Sequence, residues 1–165
     1  SLRKGTIGGY SSRMRFDLVL NAMFKSAVTK GRIFVHNPRI WRPILSIKDA
    51  SSAYISAIES KSISSQAYNI HYDNFTLLDI SHQIQSYFKD NHNKIINIEI
   101  SENSDPRSYK LNNDKAKSNL FWTPKFGIQE IIDDLYVNCS NIKFDDDIYY
   151  NISVFKELKG NDSII

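Results

Sequence analysis

The sequence predicts an α/β fold, because short apolar runs of strand type alternate with segments of helical period, with glycine or proline at several of the junctions, such as Gly8-Gly9, Gly31, Pro38 and Pro124. The order of elements is too irregular for a complete doubly wound sheet, and no internal repeat is visible.

Leu2 to Ile7 reads as a short strand running directly into the glycine-rich turn Gly8-Gly9-Tyr10-Ser11-Ser12, so the chain is expected to start mid-fold. From Met14 to Lys30, Phe16, Leu18, Val19, Met23, Phe24, Ala27 and Val28 recur at helical spacing, and Gly31 ends the helix. Arg32 to His36 is a strand, Asn37-Pro38 a turn, and Trp41 to Ile47 a second strand with Pro43 at its edge. A helix follows with an apolar stripe of Ala50, Ala53, Tyr54, Ala57 and Ile58. Asp49 lies near its first turn, where a carboxylate suits the free backbone N–H groups. Ser60 to Ser65 is a polar loop, and Ala67 to Ile70 a buried strand. Thr76 caps an amphipathic helix carrying Leu77, Ile80, Ile84 and Phe88. Lys94 to Ile100 alternates around Ile96, Ile98 and Ile100 as a strand, and Ser101 to Ser108 is turn-like. A short helix near Asn113 to Leu120 is broken by Thr123-Pro124. Gly127 to Val137 is the last strong helix, with Ile128, Ile131, Ile132 and Leu135 on one face. Cys139 to Ile165 is a polar tail with a short helix near Val154 to Leu158.

With 165 residues, 41% of them hydrophobic, the chain has material for one domain rather than two. Lys and Arg number 21 against 18 Asp and Glu, and a net charge of +3 spread along the chain demands neither nucleic acid nor a membrane surface. The single cysteine, Cys139, excludes an internal disulfide framework and a Cys-rich zinc site, which fits a reducing compartment, with cytoplasm the default. No apolar run approaches the roughly 20 residues of a membrane helix, and Ser1-Leu2-Arg3-Lys4-Gly5 lacks the apolar core of a secretory signal. There is no G-x-G-x-x-G or G-x-x-G-x-x-G between strand and helix, no P-loop, no H-E-x-x-H and no G-x-S-x-G, which argues against a self-contained enzyme of those classes. His36, His71, His82 and His92 lack metal-ligand spacing, so no metal is assigned, and Cys139 reads as a packing residue.

Arginines stand out at the edges of strands and loops: Arg3, Arg13, Arg15, Arg39, Arg42 and Arg107. A guanidinium is a planar fork of donors matched to phosphate oxygens, and two forks from different loops can hold a pyrophosphate. Each arginine also reads as one half of a surface ion pair. Arg42 resists that reading: it lies between Trp41 and Pro43 in an apolar strand, where an unpaired guanidinium is costly, and it calls for an anionic partner.

The stretches Leu2–Gly9, Arg15–Asn21, Trp41–Ala50, Tyr68–Ile70, Asp105-Pro106-Arg107-Ser108-Tyr109, Lys115-Ala116-Lys117 and Trp122-Thr123-Pro124 together resemble, in order, the carboxyl-terminal half of the extended short-chain dehydrogenase/reductase family, over about residues 2–138. That family includes NAD-dependent nucleotide-sugar epimerases and dehydratases. The resemblance implies a substrate-binding domain over 1–138, including end strands of the Rossmann sheet, and a polar carboxyl-terminal extension over 139–165 outside the family pattern. It implies that the NAD-binding Rossmann core, with its glycine loop and Y-x-x-x-K pair, is largely missing from this chain. The chain then contributes no catalytic residue and is inactive alone; NAD is held mainly by an amino-terminal half. A separate Rossmann half or a homodimer partner is implied as well.

The resemblance also implies roles. Arg42 and Arg107 clamp a nucleotide diphosphate from opposite sides, and Tyr109 approaches the same group. Phe34 lies on the strand where an aromatic ring and backbone groups hold the base, an arrangement suited to a pyrimidine. Thr6 stands where relatives often carry Asn, facing sugar and phosphates, and Gly5 where the backbone passes the nicotinamide. Asp17 and Asn21 fall on the helix covering the nucleotide; Asn21 is either a substrate ligand or an ordinary exposed position, Asp49 a helix cap rather than a ligand, and Asn69 a structural hydrogen-bonding residue. The implied reaction runs through a transient keto sugar, with this half binding and orienting the nucleotide sugar. The alternative is a non-catalytic module binding a nucleotide sugar or RNA. RNA binding is disfavoured because Lys and Arg do not cluster and the aromatics fall at core-like spacings.

Overall fold

Gly5 divides what the sequence presents as one opening strand. The computed structural model describes residues 1–60, 65–102 and 107–161, the last five as backbone only. In it, β1 (Leu2–Lys4) pairs in parallel with β5 (Tyr68–Ile70), whereas β2 (Thr6–Gly8) joins a different sheet. Gly5 itself donates to the Ile70 carbonyl at 2.9 Å, and a Cβ on it would lie 2.9 Å from the Pro43 carbonyl oxygen. Only a glycine lets the chain pass so close from one sheet to the other.

β2 runs parallel to β4 (Trp41–Ser46), which pairs antiparallel with β6 (Asp73–Thr76). The sequence does not announce β6: four residues with Phe75 as their one large apolar side chain show no alternation. β3 (Arg32–His36) and β7 (Asn97–Ser101) form a further parallel pair, in which Ile33 and Val35 point into the core and Arg32, Phe34 and His36 point outward. The expected common face of Ile96, Ile98 and Ile100 breaks down along β7: Ile96 is buried, and Ile100 is 57% exposed where the pair extends past the core.

The first helix, α1 (Val19–Lys30), starts later than its periodicity predicts. Met14 and Phe16 are buried, but on an irregular loop with a Ser11–Met14 turn, so their spacing reports core contact rather than helix. Gly31 closes α1 at φ 63°, donating to the Ala27 carbonyl. Ser46 caps α2 (Ile47–Glu59) by accepting from the Lys48 N–H. Asp49 is therefore not the cap; it is 1% exposed and accepts from the main-chain N–H of Lys125 and of Phe126, both at 2.9 Å. Thr76 caps α3 (Leu77–His92) reciprocally with Asp79, as its sequence suggests. α4 (Asp114–Leu120) ends at Phe121 in the left-handed region, before Pro124 is reached. α5 (Ile128–Asn138) buries Ile128, Ile131, Ile132 and Leu135 as its period predicts.

The larger core joins α1, α3 and α5 to β3 and β4, through Phe24, Phe88, Ile33, Ile44 and Ile131 among others. A smaller one places Leu45, Tyr68, Ile70, Leu120 and Trp122 around α2 and α4. After α5 a 3-10 turn (Asp147–Tyr149) leads into α6 (Asn151–Asn161), longer than the helix expected at 154–158, and Phe144, Tyr149 and Tyr150 pack against the larger core. Among the described residues no helix is long and apolar enough to cross a membrane.

Candidate ligand groove

Three neighbouring cavities run along the open side of β2 and β4 and the start of α1. The middle one, about 520 Å³, is lined by Thr6, Asp17, Arg42, Arg107 and Tyr109, with Leu77 and Ile40 as apolar floor. It shares Thr6, Leu18 and Tyr109 with a cavity of about 470 Å³ that also contains Gly5 and Asn21. On the other side it shares Val19, His36 and Leu77 with an apolar pocket of about 290 Å³ that contains Phe34. Shared walls make these one groove, and every site residue expected from the sequence lines it.

At its centre, Arg42 on β4 is held over the 107–109 segment. Its Nη1 donates to the Trp41 carbonyl at 2.9 Å and to the Arg107 carbonyl, and its guanidinium carbon lies 5.6 Å from the Tyr109 ring centroid. The anionic partner expected for Arg42 is thus replaced by two carbonyl dipoles and an aromatic face, which meet the cost of half-burying the charge. Both hydrogen bonds use Nη1, so the opposite edge of the fork, Nε and Nη2, makes none among the described residues. Arg107 and Tyr109 are exposed on the facing loop, and Tyr109 donates through its N–H to the Trp41 carbonyl. Asp105 and Pro106 of the same motif lie outside the described residues.

Phe34 presents a 38% exposed ring with the Arg32 guanidinium 5.1 Å and the Lys30 ammonium 5.9 Å from its centroid. Val19, Ala22 and Met23 line the pocket beside it, so a flat apolar group can rest against the ring. Thr6 is partly buried where the two larger cavities meet.

Two expectations are corrected. Asp17 is not on the helix but on the loop preceding it, where its carboxylate takes a bidentate ion pair from Arg15, both contacts at 2.9 Å. That pairing, against a smaller effect of burial, holds its carboxyl below the ordinary value. Asn21 is on α1 but is not an exposed position: it is 2% exposed, accepts from the Gly9 N–H and donates to the Arg15 carbonyl, so it braces the loop from the groove wall. Sequence reasoning passed over Lys4, Arg13 and Arg15 as groove-lining residues; the two arginines were visible only as members of a scattered set.

The remaining polar residues of interest are structural. Asn69 donates to the Asn112 carbonyl. His71 is 4% exposed, its Nε2 facing the Asn74 amide and its Nδ1 without a partner among the described residues. Cys139 is buried, and burial pushes its thiol up to about 11. Among the described residues no group of three or more His, Cys, Asp or Glu side chains could hold a metal ion.

No protein-family model matches the chain. Its fold is similar to that of several solved structures. The dTDP-glucose 4,6-dehydratase of Bacillus anthracis, solved with NAD, matches with a TM-score of 0.68 at 21% identity, over 86% of this chain and 46% of its own. The UDP-N-acetylglucosamine 4-epimerase of Bacillus cereus matches with a TM-score of 0.69 at 19% identity, over 90% of this chain and 48% of its own. The UDP-glucuronic acid 4-epimerase of Bacillus cereus, solved with UDP-glucuronic acid and NAD, matches with a TM-score of 0.68 at 19% identity, over 82% and 43%. The chain spans less than half the length of each of these, and at such identities the likeness is one of fold: the α/β fold of sugar-nucleotide epimerases and dehydratases.

Proposed function

We propose that this chain is the nucleotide-sugar-binding portion of an NAD-dependent epimerase or dehydratase acting on an NDP-sugar through a transient keto sugar. The observation that supports the reading is the continuity of the groove: an exposed ring at Phe34, a cationic centre at Arg42 and Arg107, and a further chamber beyond Thr6 follow one another along it, the sequence that a base, a diphosphate and a sugar would need. The Nε–Nη2 edge of Arg42, which makes no hydrogen bond among the described residues, offers a bidentate grip on a phosphate, already oriented by the two carbonyls on Nη1. Arg107 supplies a second charge from the facing loop, and the exposed Tyr109 hydroxyl a neutral donor. Contacts of this kind, remote from the reacting carbon, hold the sugar in place without taking part in its chemistry.

NAD, where bound, supplies hydride removal from the sugar. Gly5, the residue nearest to a cofactor role, lines the larger side chamber, yet its missing side chain is already required by the Pro43 carbonyl and His71. It does not by itself form a cofactor site, and the part assigned to this chain is binding and orientation, with NAD held by a separate Rossmann half.

Calorimetric titration with UDP, dTDP, CDP and GDP tests the reading. Saturable binding of one nucleotide, lost in Arg42→Ala and in Arg107→Ala, is the expected result. A folded chain that binds none of the four would overturn it.

A further inference from the structure

The two larger chambers of the groove differ in charge. Arg42 and Arg107 share the middle one with Asp17. The chamber of about 470 Å³ beyond Thr6 is lined by Lys4, Arg13 and Arg15, and among the described residues no carboxylate lines it. Of these three cations Arg15 is already neutralised, since its Nε and Nη2 both donate to Asp17 at 2.9 Å. Lys4 and Arg13 have no ion-pair partner among the described residues. Lys4 Nζ donates to the Tyr54 hydroxyl at 2.8 Å and lies 5.4 Å from the centroid of that ring, and Arg13 Nη2 donates to the Asn151 amide oxygen at 3.3 Å. Both partners are neutral. Asp134, which accepts from the Tyr10 N–H beside the chamber, is ion-paired with Lys48 at 2.8 Å.

The chamber is also short of acceptors. Its side-chain oxygens are the hydroxyls of Thr6, Ser11 and Tyr109, which donate as readily as they accept, and the Asn21 amide oxygen, which the Gly9 N–H occupies. A neutral sugar presents hydroxyls that need acceptors as well as donors. An ionised carboxylate only accepts, its plane matches the fork of a guanidinium, and its hydrogen bonds to cations are charge-assisted. A cleft lined by one sign of charge further raises the local concentration of the opposite sign. We infer that the sugar of the nucleotide sugar bound here is a uronic acid, with its carboxylate held by Arg13 in the chamber beyond Thr6 and Lys4 as the second charge. The inference rests on the nucleotide-sugar reading, from which it takes the place of the sugar.

The test compares ligands that differ only in a hydroxymethyl or a carboxylate on the sugar ring. UDP-glucose is paired with UDP-glucuronic acid and UDP-galactose with UDP-galacturonic acid, or the same sugars are carried on dTDP, CDP or GDP where that nucleotide binds tightest. Calorimetry on the full chain at low salt should give the acid about tenfold higher affinity than its neutral counterpart in at least one pair, the factor expected of one charge-assisted contact at a partly exposed site. In Arg13→Gln, and to a lesser degree in Lys4→Gln, the ratio of the two affinities should fall toward one; both residues are exposed, so neither exchange disturbs the core. In Arg42→Ala, which acts on the shared diphosphate, both affinities should fall while their ratio stays. Equal affinity for acid and neutral sugar in both pairs overturns the inference and leaves the nucleotide-sugar reading standing. A loss by the same factor for both ligands in Arg13→Gln overturns it too, because the cations then serve the diphosphate. If no nucleotide binds the folded chain, the nucleotide-sugar reading itself falls and the inference with it.

Discussion

Arg42 lies over Tyr109, with its guanidinium carbon 5.6 Å from the ring centroid, and donates to the carbonyl of Arg107, two residues earlier on the same loop. One side chain thereby fixes a strand, β4, against the loop that closes the groove opposite it. Replacing a fork by a point charge should undo this. In Arg42→Lys the ammonium cannot reach both carbonyls and still present a bidentate edge. Nucleotide affinity is expected to fall about tenfold, equivalent to about 1.4 kcal/mol. Calorimetry checks it, and equal affinity in Arg42→Lys would mean that charge alone, not the fork, is used.

Asp49 joins α2 to the turn before α5 through two main-chain N–H groups. Its loss leaves two part-buried donors without their acceptor, at a cost of about 2 kcal/mol in Asp49→Ala. Asp49→Asn, which keeps one acceptor oxygen, should lose roughly half as much. Urea denaturation gives both values, and a wild-type midpoint for Asp49→Ala would show that the two N–H groups find water instead.

The Asn74 amide is oriented by a pair of hydrogen bonds with the Leu111 main chain, so its NH₂ faces His71 Nε2 and assigns the ring proton to Nδ1. A second proton on Nε2 would oppose that NH₂. Burial, as the largest cause, holds His71 below its ordinary 6.5. The unfolded chain therefore binds more protons than the folded one between the folded value and 6.5. Stability is full above pH 6.5 and is lost as the pH falls from there toward the folded value, below which the dependence ends. Thermal unfolding followed from pH 8 to 5 should show this slope in wild type, and His71→Gln should flatten it; an identical slope in both would assign it to other groups.

Cys139, with its thiol raised to about 11 by burial, carries almost no thiolate near neutral pH and lies in the larger core. It should react with a disulfide reagent at pH 8 only as fast as the chain opens, and at once in denaturant. Immediate reaction in the native protein would contradict its burial.

Much of the fold is legible locally. Helices α3 and α5 follow from their apolar period, the start of α3 from Thr76 and the end of α1 from Gly31, because period, cap and left-handed stop each depend on a few neighbouring residues. The groove residues were likewise legible, but only as residue types in a resembling order.

What those residues touch was decided by the tertiary structure. The sequence calls for a counterion at Arg42; the fold supplies the neighbouring Trp41 carbonyl and, from a loop 65 residues away, the Arg107 carbonyl and beside it the Tyr109 ring. Gly5 divides one apparent strand between two sheets because the Pro43 carbonyl arrives there, Asn21 turns inward because Gly9 and Arg15 present backbone groups to it, and a polar tail becomes a brace because Phe16 lies where Phe144 and Tyr149 land. Residue type and spacing determine which conformations a segment favours and which groups need a partner. Which partner arrives is a matter of long-range packing, since a buried polar group takes whichever complementary group the fold brings within reach.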